Sequence, residues 1–510
     1  MADFDPAARS SDYVEQEGFW SHVSDVLAGE DAIKGKKETY LPRLPAEEDA
    51  NYLYRLSIAT FTNIYGDISK NLASKPFAKE LTLSEKSDKQ FLDLAENIDG
   101  NGNNLHVFSE AVFKSGQDYS LSYILVDYTR ASPRADGRPL SKTEESQQGL
   151  RPYWVFLPAA KVLAVYSSFL NGVETIFHAR VDESAVEFDG EVETRVERVR
   201  VMRRDPIINQ ATGNVMAYGS AYWQLYEKQA TGAGRTRKNS WQVVDAGEYS
   251  IGVIPLVPFF AGKRVGSKYM AAPVLRDLLN MQLAEYRQES DIEWTRVMTC
   301  FPMLCISGAE IKDKQGNVVV TVGPSQVLGI PQNKEGSGPA GDAKYIEPTT
   351  ASIQEQRNQL ELRRKEMRDL GMQPVTSANL TVVTTKNVSM KASSAMQMLA
   401  IQFKDMLEQC WKITGLWLKS DKEPEVIIHT DFAIELEEGK ELDAILSSVE
   451  KKIISKKTAR DELKRRSVVS NDLTDEEEEQ RIAEESEGLE GEEEIEPRTG
   501  NRLRVVEDAA

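Results

Sequence analysis

The feature that most constrains the fold is the stretch 271–372, in which two helical patterns flank a short β-rich segment. Apolar residues at steps of three and four predict a helix over 271–302, and a charged helical pattern follows over 350–372. Between the two, β-branched runs separated by glycines predict short strands over 303–349. A helix that leaves and a helix that returns form a stalk rather than a catalytic pocket.

A polar segment at 373–387 separates this helix pair from a further long helix, predicted with a following strand over 388–435. Gly371 and Pro374 are typical of the end of a helix. The long helix carries an apolar stripe typical of a core-facing surface. Its methionines indicate core packing, and an adaptable binding surface is the alternative. The stripe consists of Ala392, Met396, Leu399, Phe403, Leu407 and Trp411.

The N-terminal half changes from helical to strand periodicity along its length. Helical spacing predicts helices over 14–28 and 47–74, whereas the run SLSYILVDY from Ser120 predicts a strand. Alternation of valine with charged residues in VETRVERVRV indicates a half-exposed strand. Further strand patterns follow, so the middle third is predicted to be antiparallel and β-rich. Near the C-terminus, Ser455 is predicted to cap a short helix.

The order of these elements resembles the portal proteins of tailed bacteriophages, in particular a portal-like family defined as a domain of unknown function. The resemblance covers about 52–483 and includes the strings YRLSIATFTN, YILVDY, RPYW, GVIPLVPFF and APVLRDLLNMQLAEYRQESDIEW. It implies an α+β, portal-like fold with a mixed wing, two antiparallel stem helices, a small β-containing clip, a tunnel loop, a long kinked helix and a helical crown.

The resemblance also implies boundaries for these parts. They are 1–270 for the N-terminal helices and wing, 271–302 and 350–372 for the stem helices, 303–349 for the clip, 373–387 for the tunnel loop, 388–435 for the long helix and strand, 436–487 for the crown and 488–510 for an acidic tail.

The same resemblance implies a structural and mechanical function. In the family, a homo-oligomeric ring, usually of twelve subunits, occupies one capsid vertex among copies of the major capsid protein. Double-stranded DNA passes through the ring during packaging and ejection, and terminase and then head–tail adaptor proteins dock on the clip. The protein is therefore expected in the virion, and in the host cytoplasm during assembly. The implied channel residues are Thr376, Ser377, Asn379, Thr381, Thr384 and Lys386. The implied docking residues are Gly336, Ser337, Gly338 and Asp342.

Composition agrees with a protein that does not bind nucleic acid tightly, because the formal net charge is −19. Much of this charge lies between Asp472 and Glu496, which contain fourteen acidic residues and one arginine. Such a segment is typical of a solvated tail, and an electrostatic collar that repels DNA is the alternative. No apolar run is long enough to span a bilayer, so no membrane partner is expected.

Motifs for catalysis or cofactor binding are absent from the sequence. There is no phosphate-binding loop, no nucleophile elbow and no zinc-protease motif, and the cysteines lack the second pair of a structural metal site. We therefore expect neither an enzyme nor a cofactor. Two alternatives remain open: another virion part, such as a head–tail adaptor or scaffold-like protein, or a metal-dependent DNA-processing enzyme.

Overall fold

The protein is an α+β protein, as the sequence predicts. It forms two compact units, Met1–Ala433 and Ile434–Ala510. The computed structural model describes residues 4–45, 47–130, 148–231, 238–300, 303–307, 327–330, 343–346, 351–371, 382–430, 432, 447–449, 451, 455 and 457–460.

Helices come first along the described chain, and polar side chains begin several of them. Asn63 and Asn104 accept hydrogen bonds from the backbone N–H groups of Gly66 and Val107. The cap at Asn63 begins a new helix, so the single helix predicted over 47–74 is in fact two. The helices are α1 Ser11–Ala28, α2 Glu30–Gly35, α3 Asp49–Ile58, α4 Ile64–Ser74, α5 Lys89–Ala95 and α6 Leu105–Tyr119.

Antiparallel sheets follow. A three-stranded sheet has the order β13–β2–β3, and a five-stranded sheet has the order β12–β11–β8–β5–β4. Separate two-stranded hairpins are formed by β6 with β7 and by β9 with β10. The strands are β1 Thr82–Leu83, β2 Leu121–Tyr128, β3 Pro152–Pro158, β4 Val162–Leu170, β5 Val173–Asp182, β6 Ala185–Phe188, β7 Glu193–Val196, β8 Arg198–Arg203, β9 Pro206–Ile208, β10 Val215–Tyr218, β11 Tyr222–Thr231, β12 Lys238–Glu248 and β13 Leu256–Phe260.

Strand β2 is buried on both faces and joins two apolar clusters. Ile124 and Val126 contribute to the larger cluster, whereas Leu121, Tyr123 and Leu125 contribute to the smaller one. Successive side chains of a strand point to opposite faces, which is why alternate residues enter different clusters. A strand covered on both sides needs a continuous apolar run, and β2 has one.

The remaining elements of the first unit form the region that the sequence singles out. They are α7 Arg276–Cys300, β14 Met303–Ser307, β15 Val327–Ile330, β16 Ala343–Ile346, α8 Ala351–Leu370, α9 Val382–Leu418 and β17 Val426–Ile427. Strand β17 pairs with β1 and so ties this region to the N-terminal helices.

The second unit is described at a few positions. Its Ser455 Oγ accepts a hydrogen bond from the N–H of Thr458 at 3.0 Å, at the start of the helical residues 457–460. The predicted cap at Ser455 is therefore confirmed. Among the helices of the described residues, none is long and apolar enough to cross a membrane.

Candidate functional site on the antiparallel helix pair

Helices α7 and α8 run antiparallel side by side. Glu285 of α7 contacts Arg364 of α8, and farther along α7 the side chain of Gln288 donates to the carbonyl of Gln356 at 3.3 Å. Residue numbers thus rise on one helix as they fall on the other. At 1.5 Å per residue the longer helix extends about 37 Å.

A small mixed sheet connects the far ends of the two helices. Its central strand is β14, which pairs in parallel with β15 and antiparallel with β16. These strands lie in the range predicted for the clip. The predicted docking residues Gly336, Ser337, Gly338 and Asp342 lie outside the described residues.

Away from the small sheet, a largely buried polar network joins the two helices. Arg364 donates to the Glu285 carboxylate from Nε at 2.7 Å and from Nη2 at 2.6 Å. It also forms a salt bridge with Glu289 at 2.9 Å. Gln282 Nε2 donates to the second oxygen of Glu285 at 3.2 Å and to the carbonyl of Thr62 at 2.9 Å. The network therefore joins α7, α8 and the residues that precede α4.

Glu285 is the electrostatically sensitive member of this network, because its side chain is 0% exposed. Burial raises the pKa of Glu285, and the hydrogen bonds and charge of Arg364 oppose that increase. Arg364 is 30% exposed, so part of its hydration survives. A buried carboxylate without its cation is strongly destabilising, and the pair accordingly holds the two helices in register.

The end of α8 fits closely against α4. Gly371 directly follows α8, and its N–H donates to the carbonyl of Met367 at 2.8 Å. A Cβ at this position would lie 2.3 Å from Cγ2 of Ile68. Gly371 does not have a positive φ. Gly371 thus ends the helix as the sequence predicts. Close packing against Ile68, and not a left-handed backbone, favours glycine at this position.

Helix α9 is anchored in the larger apolar cluster. Met396, Leu399, Phe403, Leu407 and Trp411 are all buried, so the predicted core-facing stripe is confirmed at these five positions. Two tryptophans fix the helix against the three-stranded sheet. Trp154 Nε1 donates to Thr414 Oγ1 at 2.9 Å, and Trp417 Nε1 donates to the carbonyl of Val126 at 3.1 Å.

The start of α9 differs from the sequence-based boundary. The helix begins at Val382 and not at 388, so Thr384 and Lys386, predicted in the loop, lie in its first turns. The β-branched residues here have weak helix propensity, and the continuation of a long packed helix outweighs that preference. The other predicted channel residues, Thr376, Ser377, Asn379 and Thr381, lie outside the described residues.

Two histidines and one cysteine of the described residues lie in structural contacts or in the core. His106 Nδ1 accepts from the N–H of Leu81 at 3.0 Å, and the imidazole of His22 packs edge-on against Tyr40. Cys410 is buried, and burial raises the pKa of its thiol. Within the described ranges, no three His, Cys, Asp or Glu side chains are grouped as a metal site would require.

Comparison with known proteins adds a family match over this region. The model of a domain of unknown function, DUF4055, matches residues 274–418. That span begins just before α7 and ends at the last residue of α9, so it contains the helix pair, the small sheet and the long helix. No curated protein matches the sequence.

Among solved structures, one similar chain belongs to a structure titled "Neck of native GTA particle computed with C12 symmetry". The two sequences are 11% identical, and the alignment covers 78% of this chain and 88% of the other. The TM-score is 0.37. At that score the similarity does not establish a common fold.

Proposed function

We propose that this protein is a phage portal subunit, which forms a ring at one capsid vertex and conducts double-stranded DNA during packaging and ejection. The observation that carries the proposal is the order and pairing of α7, the β14–β16 sheet, α8 and α9. This arrangement corresponds to the stem, clip, stem and long helix that the sequence resemblance implies.

The surface of α8 supports assembly into a ring. Of its side chains between Ile353 and Leu370, Leu360 and Met367 are the buried ones, and they lie seven residues apart on one stripe. Leu362 and Leu370 are 56% and 53% exposed. A helix that buries so narrow a stripe leaves most of its surface for contacts with other subunits.

In this proposal the segment between α8 and α9 faces the DNA. Thr376, Ser377, Asn379 and Thr381 are uncharged, so they contact DNA without strong ion pairs that would hold it in place. Thr384 and Lys386, at the start of α9, complete the channel-lining set, and Lys386 contacts phosphates transiently.

The proposed partners follow from the position of the ring. Terminase, and later the head–tail adaptors, dock on the clip around Gly336, Ser337, Gly338 and Asp342, while the major capsid protein surrounds the wing. In this scheme the protein has no catalytic activity of its own, because the ATPase belongs to terminase.

Negative-stain electron microscopy of the purified full-length chain tests the proposal, in parallel with a DNA-cleavage assay with divalent metal ions. We expect rings with a central channel and no cleavage. A monomer or dimer that cleaves DNA when metal is added would replace the proposal with a DNA-processing enzyme. Rings without a channel wide enough for duplex DNA would contradict the portal function.

A further inference from the structure

A basic cleft lies at one end of the five-stranded sheet. It has a volume of about 330 Å³ and includes two aromatic rings, a histidine, three arginines and one aspartate. The lining residues are Tyr166, Phe177, His178, Arg180, Arg203, Arg204 and Asp205. Three cations against a single carboxylate give the cleft a positive charge.

The cationic side chains of the cleft are oriented by neutral groups. Arg180 donates to His178 Nε2 at 2.9 Å and to the carbonyl of Ala8 at 2.9 Å. Arg204 donates to the carbonyls of Gly219 at 2.9 Å and Tyr218 at 3.2 Å. Carbonyls and rings fix the guanidinium groups but do not neutralise them. The carboxylate of Asp5, which is not part of the lining, also acts on Arg180. The three arginines still outnumber Asp5 and Asp205, so an incoming carboxylate would gain charge-assisted hydrogen bonds.

The remaining groups of the cleft do not cancel its charge. Burial, together with Arg180 and Arg203, lowers the pKa of His178 to about 4, so this imidazole is neutral at physiological pH. Arg203 lies over the ring of Phe4, with 4.5 Å between its Cζ and the ring centroid. Asp205 accepts a hydrogen bond from the hydroxyl of Tyr222 at 3.1 Å.

Exposed apolar side chains are found beside the cleft. They belong to the β4–β5 turn and to the β9–β10 hairpin, which is held next to β4 by a hydrogen bond of 2.8 Å between Ser168 and Tyr218. These side chains, here called the apolar rim, are Phe169, Val173, Ile207, Ile208, Val215 and Met216. A positive cleft with an apolar rim is suited to a protein segment that carries both carboxylates and apolar side chains.

The β6–β7 hairpin is such a segment. Phe188 and Val192 are 67% and 59% exposed at its tip. An isolated two-stranded hairpin is marginally stable in water, so exposed apolar side chains of this size indicate a surface that packs on another protein. Within residues 185–196 the acidic side chains are Glu187, Asp189, Glu191 and Glu193, and the basic one is Arg195.

The acidic hairpin and the basic cleft lie at opposite ends of the same pair of strands. Strands β5 and β8 are antiparallel, and His178 pairs with Arg203 at the cleft end. Asp182 pairs with Val199 at the other end, and the residues that connect this pair form the β6–β7 hairpin. The two complementary surfaces therefore face different neighbours.

We propose that the β6–β7 hairpin of one copy docks in the basic cleft of a second copy of this chain. Glu191 and Glu193 bind the guanidinium groups of the cleft, while Phe188 and Val192 pack on the apolar rim. Because the two surfaces differ, the contact is head to tail, and repeated contacts of this kind form a ring when the rotation between successive copies closes. The inference rests on the proposed ring and identifies one contact that forms it.

Charge reversal on either surface tests the contact. The variants E191R and R203E place like charges opposite each other, and each is expected to weaken ring association about tenfold or more at physiological ionic strength. Glu110→Arg is the matched control, because Glu110 is an exposed acidic residue on α6, away from both surfaces. It should assemble normally. Circular dichroism and thermal unfolding of each variant check that the fold is retained.

An equimolar mixture of E191R and R203E chains provides the decisive result. In the mixture, the arginine of an E191R hairpin faces the glutamate of an R203E cleft. The unchanged hairpin of an R203E chain faces the unchanged cleft of an E191R chain, so rings in which the two variants alternate should form. Normal rings from each folded single variant, or no recovery in the mixture, would overturn the docking contact and leave the portal proposal standing. A wild-type chain that stays monomeric at all concentrations would overturn both.

Discussion

Replacement of Arg364 by leucine tests the role of the buried network between α7 and α8. The substitution removes both hydrogen bonds from Arg364 to the fully buried carboxylate of Glu285. Among the residues that the structure describes, the Glu285 carboxylate then keeps a hydrogen bond from Gln282. Loss of one partner of a buried ion pair costs about 3–5 kcal/mol. Since Arg364 is 30% exposed, we expect the lower end of that range at neutral pH.

The pH dependence of this loss identifies its cause. The pKa of Glu285 is raised in the folded protein, so the folded state binds this proton more readily than the unfolded state. Protonation of Glu285 therefore adds to the free energy of unfolding. This contribution grows as the pH falls through the raised pKa of the folded state, and it is complete below the pKa that Glu285 has in the unfolded state. Arg364→Leu raises the pKa of Glu285 further. The loss in free energy of unfolding, relative to wild type, should therefore be largest at neutral pH and should shrink on acidification.

Denaturant unfolding followed by circular dichroism at several pH values measures these effects. The double variant E285Q/R364L should recover most of the neutral-pH loss, because a neutral amide replaces the unpaired charge. Arg368→Leu is the matched control on an exposed position of α8 and should change stability by about 0.5 kcal/mol or less. A deficit that is independent of pH, or one that E285Q does not reduce, would refute the electrostatic explanation.

Three further predictions concern the close packing of Gly371, the proposed DNA channel and the acidic C-terminal segment. Gly371→Ala should destabilise the protein because its Cβ would collide with Ile68, whereas Gly18→Ala, with open space inside α1, should be neutral or stabilising by about 0.5–1 kcal/mol; equal thermal stability of the two variants would contradict this. Asn379→Trp should leave rings intact in micrographs but block or slow DNA packaging into capsids, and unaffected packaging would remove this residue from the channel. Truncation after Glu487 should leave the number of subunits per ring unchanged, since an acidic segment of low hydrophobicity buries little surface. Loss of rings would show that the tail takes part in assembly.

Local patterns in the sequence predict much of the helix pair and of α9. The apolar repeat over 271–302 and the charged helical pattern over 350–372 contain α7 and α8. The stripe from Met396 to Trp411 is buried as predicted. These features depend on residues a few positions apart, so a single sequence carries them. The same is true of the cap at Ser455.

Features that depend on distant partners do not follow from local patterns. The spacing over 47–74 suits one helix, but the side chain of Asn63 begins a second. The collision partner of Gly371 is Ile68, far away in the sequence, and the partner of Arg364 is Glu285. The basic cleft likewise gathers Arg180 from β5 and Arg203 from β8. The register between these strands, in which Arg203 pairs with His178, brings the two arginines to the same cleft.

The mass of the assembled protein tests the central claim most directly. Native mass spectrometry of the full-length chain should show a closed assembly with an integral number of copies, and twelve times 57.1 kDa is about 685 kDa. Electron micrographs of the same sample should show rings. A species of 57.1 kDa alone, at every concentration and ionic strength, would contradict the account.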